Sequence, residues 1–113
     1  MSWKAGQREA FDHELAAASL TQAEGDAQAE FAHLERAHVI GQRSTLAHTL
    51  AHWRMFRFGL RHRDFREVIG QVPRMIAALS KSRVWVPVGN TGGANVNPFR
   101  SMPVPDDLRQ HVD

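Results

Sequence analysis

Apolar and polar positions recur with a helical period over roughly the first eighty residues. Phe11, Leu15 and Ala18 share one face of a segment running from about residue 3 to 23, and the Gly-Asp pair at 25 and 26 interrupts it. Asp26 is placed to cap a second helix over about 26–41. Its Ala27, Phe31, Leu34 and His38 fall at spacings of four, three and four, so they form a single stripe that places His38 among apolar residues, and Gly41 ends the run. Ser44 predicts the cap of a third helix over about 44–62. Asp64, with Glu67 three residues on, predicts the cap and partial capping box of a fourth over about 64–80, with a kink expected where Gly70 and Pro73 fall. On the third helix Leu46, Thr49, Trp53, Phe56 and Leu60 gather into the arc expected to face the core, and His48, His52, Met55, Gly59 and His62 form a second arc beside it.

The second and fourth helices open alike, GDAQAEF at 25–31 and RDFREVI at 63–69, each after a helix and a short polar turn. Two helix hairpins offset by 38 residues resemble a tetratricopeptide-type repeat, whose usual period is about 34 and which needs about three units to stand alone. Two units leave an open end. The segment from 84 to 108, rich in Pro and Gly and so not helical, is expected to cover it with Val84, Trp85, Val86, Val88, Val96, Phe99 and Met102, fraying after about Leu108. The expected fold class is therefore all-α, a four-helix array of two hairpins capped by a non-helical tail, in one domain spanning 1–113.

Composition narrows the partners. No apolar run approaches the about 20 residues of a membrane span, and the first fifteen residues lack the apolar centre of a secretory signal. The absence of cysteine favours the cytoplasm and limits metal ligands to His, Asp, Glu, Met or amide oxygen. The net charge of +2 is unevenly spread: residues 1–35 carry −5, residues 36–83 carry +8 and the remainder −1. A basic middle raises the question of nucleic acid, but no binding motif interleaves the arginines, and the acidic first helix is a nearer partner, within the chain or across a dimer. Arg54, Arg57, Arg61 and Arg63 are read as a solvated or salt-bridged edge facing Glu30 or Glu35.

The chemistry concentrates in HTLAHWRM at 48–55. His48 and His52 lie one turn apart, and the short link from Gly41 to Ser44 makes the second and third helices antiparallel, which sets His38 about level with His48. Two imidazoles at i and i+4 with a third from the neighbouring helix are one way for a bundle to hold zinc, copper or iron, and Met55 would tilt the choice toward copper. The competing reading makes the same histidines buried polar groups bonded to carbonyls or carboxylates. No Glu stands between His48 and His52, so the metalloprotease pattern is absent. His13, His33, His62 and His111 are expected at the surface. In GNTGGANVNPF at 89–99, Asn90, Gly92, Gly93 and Asn95 either form a compact turn or line the histidine cavity as outer partners; no Gly-Lys-Ser follows, so the loop is not a P-loop.

HLERAHVIGQR at 33–43, HTLAHWRM at 48–55, RDFREVIGQVPR at 63–74 and VPVGNTGGANVNPF with MPVPDDL at 86–108 together resemble the bacterial family catalogued as domain of unknown function 3703. The resemblance spans nearly the whole chain and implies a small, mostly helical protein. It assigns no catalytic residues, though the family's motif blocks include the positions of His38, His48, His52, Asn90 and Asn95. The sequence thus points to an intracellular helical protein holding a metal through His38, His48 and His52, with Asn90, Gly92, Gly93, Asn95 and Met55 nearby. The alternative is a repeat-like adaptor that binds a peptide or a second copy. A metal-free enzyme ranks last, because histidine is its one evident general base and no nucleophile is paired with it.

Overall fold

The computed structural model describes residues 3–81, 89–97 and 100–112. Helices α1 (Ala5–Ala23), α2 (Ala27–Gly41), α3 (Thr45–Arg61) and α4 (Phe65–Lys81) are followed by a short 3-10 turn at Asp106–His111, and the described residues contain no strand. The packing runs α1 on α2, α2 on α3 and α3 on α4, so the helices associate in pairs as an open series. No described helix is long and apolar enough to cross a membrane.

The caps form where short polar side chains precede each helix. Asp26 accepts from the Ala29 N–H at 3.0 Å, Ser44 from Ala47 at 3.4 Å and Asp64 from Glu67 at 3.1 Å, each satisfying a first-turn donor that the helix itself cannot. The capping box expected at Asp64 is only half present, because the Glu67 carboxylate turns away to bond Gln71 and Ala94.

One apolar cluster joins Phe11, Ala37, Val39, Ile40, Ala47, Ala51 and Leu108; a second joins Ala18, Leu34 and Met55, with Phe31 against Phe58 at 4.9 Å between centroids. These clusters correct the expected core face of α3. Leu46 is 81% exposed, Trp53 and Leu60 also face solvent, and Thr49 and Phe56 are only half-buried; α3 buries Ala47, Ala51, His52, Met55 and Gly59 instead. Small side chains let the helix axes approach closely, and the large ones on the adjoining arc are left outside.

Gly41 is the last residue of α2, as expected, and its lack of a side chain also serves the packing. A Cβ there would lie 2.9 Å from Cε1 of buried Phe11 and 3.1 Å from the Ala47 side chain, so glycine is what allows the α2–α3 corner to sit on α1. The tail is more ordered at its end than expected: Leu108 is buried, the 3-10 turn continues past it to His111, and the Gln7 amide donates to the His111 carbonyl at 2.9 Å. The contacts expected of Val84, Trp85, Val86, Val88 and Phe99 fall outside the described residues.

The acidic start and basic middle meet inside the molecule. Buried Glu14 bonds His33 at 2.8 Å and Arg36 at 3.1 Å, and buried Glu30 receives both Nη atoms of Arg61, at 2.5 and 3.2 Å. His33, expected at the surface, is therefore half-buried by its pairing with Glu14.

Replacing Gly41 with valine is expected to lower stability by about 1–3 kcal/mol through overpacking against Phe11, read as a lower urea midpoint at unchanged slope.

Candidate metal centre

His38 comes from the last turn of α2, and His48 and His52 from successive turns of α3. Their Nε2 atoms form a small triangle: His38 to His52 is 3.0 Å, His48 to His38 3.1 Å and His52 to His48 3.2 Å. His38 and His52 are buried and His48 is half-buried.

The far side of each ring decides what these nitrogens can do. His38 Nδ1 lies 2.8 Å from the Asn90 carbonyl oxygen, which can only accept, so Nδ1 carries the proton and Nε2 is a bare lone pair. For His52 the partner is Gln71. The Gln71 amide nitrogen donates to the Gly92 carbonyl at 2.9 Å and to Glu67, which leaves its Oε1 facing His52 Nδ1 at 2.5 Å and again puts the ring proton on Nδ1. His48 Nδ1 is buried without a partner. Two lone pairs thus point at each other at 3.0 Å, and His48 has a single proton to set among three nitrogens. Protonation does not relieve the contact: burial lowers His38 well below the usual histidine range, with His52 and His48 adding to the shift, while burial alone takes His48 to about 4, and burial followed by His48 takes His52 to about 3.

The loop after α4 closes over this triangle. Asn90 is buried with its polar atoms bonded: its Nδ2 donates to the carbonyls of Asn97 at 2.6 Å and Arg100 at 2.7 Å, and its Oδ1 accepts from Gly92 N–H at 2.9 Å. Gly92 has φ of +85°, and a Cβ on it would lie 2.5 Å from His38 Cδ2 and 2.7 Å from its Nε2, so both backbone conformation and space demand glycine. The loop is tied to α2 by Gly89 N–H on Gln42 Oε1 and to α4 by Ala94 N–H on Glu67. Gly93 lies against Phe31 and the Asn95 side-chain oxygen, and Asn95 itself is exposed. Met55 is buried, its Sδ 3.5 Å from the Gln71 amide nitrogen.

Two residues of the network, Gln71 and Arg74, were not singled out from sequence, and Glu67 was read there only as part of a capping box. Arg74 donates to the Gly70 carbonyl at 2.8 Å and the Val96 carbonyl at 2.9 Å, and its charge depresses both His38 and His52. Burial also raises Glu35, with the nearby charge of Glu67 adding to the shift. The usable signal was spacing, since Glu67, Gln71 and Arg74 recur at four and three along α4.

Fold and site together define a helical protein with a three-imidazole cluster strapped by a glycine-rich loop. The model of a family described as a protein of unknown function, DUF3703, matches residues 5–112, and the chain belongs to that family. No curated protein and no solved structure matches the chain.

The pH dependence of the metal-free protein follows from the histidine shifts. Unfolded histidines take up protons near 6.5, whereas folded His48 and His52 resist until about 4 and about 3, so the unfolded chain binds more protons throughout that interval. Stability should be flat above about pH 7 and fall as pH drops from 6.5 toward 4, with His48 alone accounting for roughly 3 kcal/mol at the lower end. Urea unfolding in the presence of a chelator across that range checks it; an unchanged midpoint would contradict neutral buried rings.

Proposed function

We propose that this protein binds one transition-metal ion through the Nε2 atoms of His38, His48 and His52. The observation that carries the reading is the convergence of three imidazole nitrogens, at 3.0–3.2 Å, with at least two of them presenting bare lone pairs to a common point. Three ligands about 2.0–2.1 Å from a tetrahedral zinc stand about 3.3 Å apart, so the triangle already has nearly the required size. A cation at the apex turns a mutual repulsion of lone pairs into coordination.

The outer partners support the same reading. A metal-bound histidine generally donates its other ring nitrogen to a carbonyl or carboxylate, which fixes tautomer and ring direction. Asn90 does this for His38, and Gln71, itself held by Glu67 and Gly92, does it for His52. Nitrogen donors suit zinc, copper or iron, and the Met55 thioether lies at the Gln71 amide nitrogen. Three protein ligands leave a tetrahedral ion one position for water or an incoming ligand, the arrangement of an open rather than a purely structural site. His48 is the one ligand with residual exposure, so the ion reaches the site across the first turns of α3. A cytoplasmic setting belongs to this proposal, since a histidine site needs no oxidising compartment.

After chelator treatment, the untagged protein is expected to bind one equivalent of zinc by calorimetry and elemental analysis. His38→Ala, His48→Ala and His52→Ala should each abolish that binding. Gln71→Leu should retain the helix content and weaken affinity by about 10–100-fold. Wild-type protein that takes up no metal, or histidine variants that bind as well as wild type, overturns the proposal.

A further inference from the structure

Of the ten large hydrophobic side chains that are exposed among the described residues, nine lie on α3 and α4. They are not scattered. On α4, Phe65, Ile69, Val72, Ile76 and Leu79 follow one another at spacings of four, three, four and three; on α3, Leu46, Leu50, Trp53 and Leu60 keep the same series, with Arg57 at the one polar step. That spacing is the seam of a helix bundle or coiled coil, here turned outward on two adjacent helices joined by a tight turn.

What α4 buries is the complement of this. Among its described side chains the buried residues are Glu67, Gln71 and Ala78, with Val68 and Met75 half-buried, so polar groups take a large share of the inner face while Ile69 stands 72% exposed on the outer side. An amphipathic helix ordinarily does the reverse. Taking about 150–200 Å² for a fully exposed side chain of this size, the nine present on the order of 900 Å² of apolar surface. The largest patch on a monomer runs to about 300–600 Å², and a stable interface takes about 800 Å² from each partner.

We infer that the α3–α4 face is the interface of a homodimer, in which the α3–α4 hairpins of two copies pack across a two-fold axis as a four-helix bundle. A second copy is the occupant that the pattern itself favours. The stripe of α4 is centred on Val72, with two apolar residues to each side and both ends one heptad away, so an antiparallel copy sets large apolar residues near large apolar residues along the stripe, as an isologous contact requires. The same hairpin supplies α3 to flank each α4. The area available on one copy matches what one side of such an interface needs. This inference does not depend on metal, because the stripe and the histidines occupy different faces of α3.

Sedimentation of the full chain, with zinc and with chelator, reads the result. The expected species has twice the 12.7 kDa mass of the chain. Ile69→Glu and Ile76→Glu, at exposed positions that the isolated fold tolerates, should weaken self-association by at least about a hundredfold with unchanged helix content, whereas Leu20→Glu on α1 should leave it intact. Because the chain has no cysteine, Val72→Cys treated with a short bis-maleimide should yield covalent dimers while Leu20→Cys does not. A wild-type monomer at every concentration overturns the inference and leaves the face to a different partner. Self-association that survives both glutamate variants, or an assembly larger than two copies, overturns it equally.

Discussion

Three neutral imidazoles held nitrogen to nitrogen in a dry corner set the terms for the rest of this structure. Lone pairs at about 3 Å repel, and burial removes the water that would separate them, so the arrangement rests on the outside bonds that hold two of the three rings. His38 is held by a loop carbonyl and His52 by a glutamine amide that is itself pinned at both donor hydrogens. That requirement reaches into every described part around the site. It fixes the register of α2 against α3, the side of α4 that faces inward, and the approach of Gly92 to within a Cβ's reach of the His38 ring.

The composition of α3 shows how such a corner is built. A helix that carried leucines and tryptophan inward would stand farther from α2 and α4, and the three nitrogens would not meet. Ala47, Ala51 and Gly59 instead bring the backbones together, and the space that remains is of imidazole and thioether size. The polar groups brought inside are then satisfied nearly completely: Asn90, Gln71 and Glu67 have their bonds, and the exception at the triangle is His48 Nδ1. Burying so much polarity costs several kcal/mol unless each group is paired, which explains why the loop is tied to two helices and not merely laid across them.

Much of this was legible in the sequence. The helix ends were readable because Asp26, Ser44 and Asp64 are short polar residues ahead of periodic runs, and caps act locally. The proximity of His38 to His48 and His52 was readable because a short link between two helices forces them antiparallel. The inward face of α3 was not. Both of its arcs carry apolar residues, and periodicity weighs Leu46, Trp53 and Leu60 above Ala47, Ala51 and Gly59, although close packing favours the smaller set. The partners of the imidazoles were hidden for another reason. Gln71 and Glu67 look like the polar face of an amphipathic helix, and only the return of the chain at Asn90–Ala94 turns that face into the interior.

That inversion on α4 ties the two unusual surfaces of the molecule together. One side of the helix carries Glu67, Gln71 and Arg74 toward the imidazoles and the loop, and the opposite side carries a heptad of large apolar residues toward solvent. Polar contacts are directional and hold a helix at one rotation; apolar ones hold it at a distance and tolerate sliding. With the directional contacts inside, α4 is oriented by the site, and the non-directional attraction that normally seats a helix is left for whatever meets its outer face. One face of α4 therefore orients His52 while the opposite face carries the exposed apolar stripe.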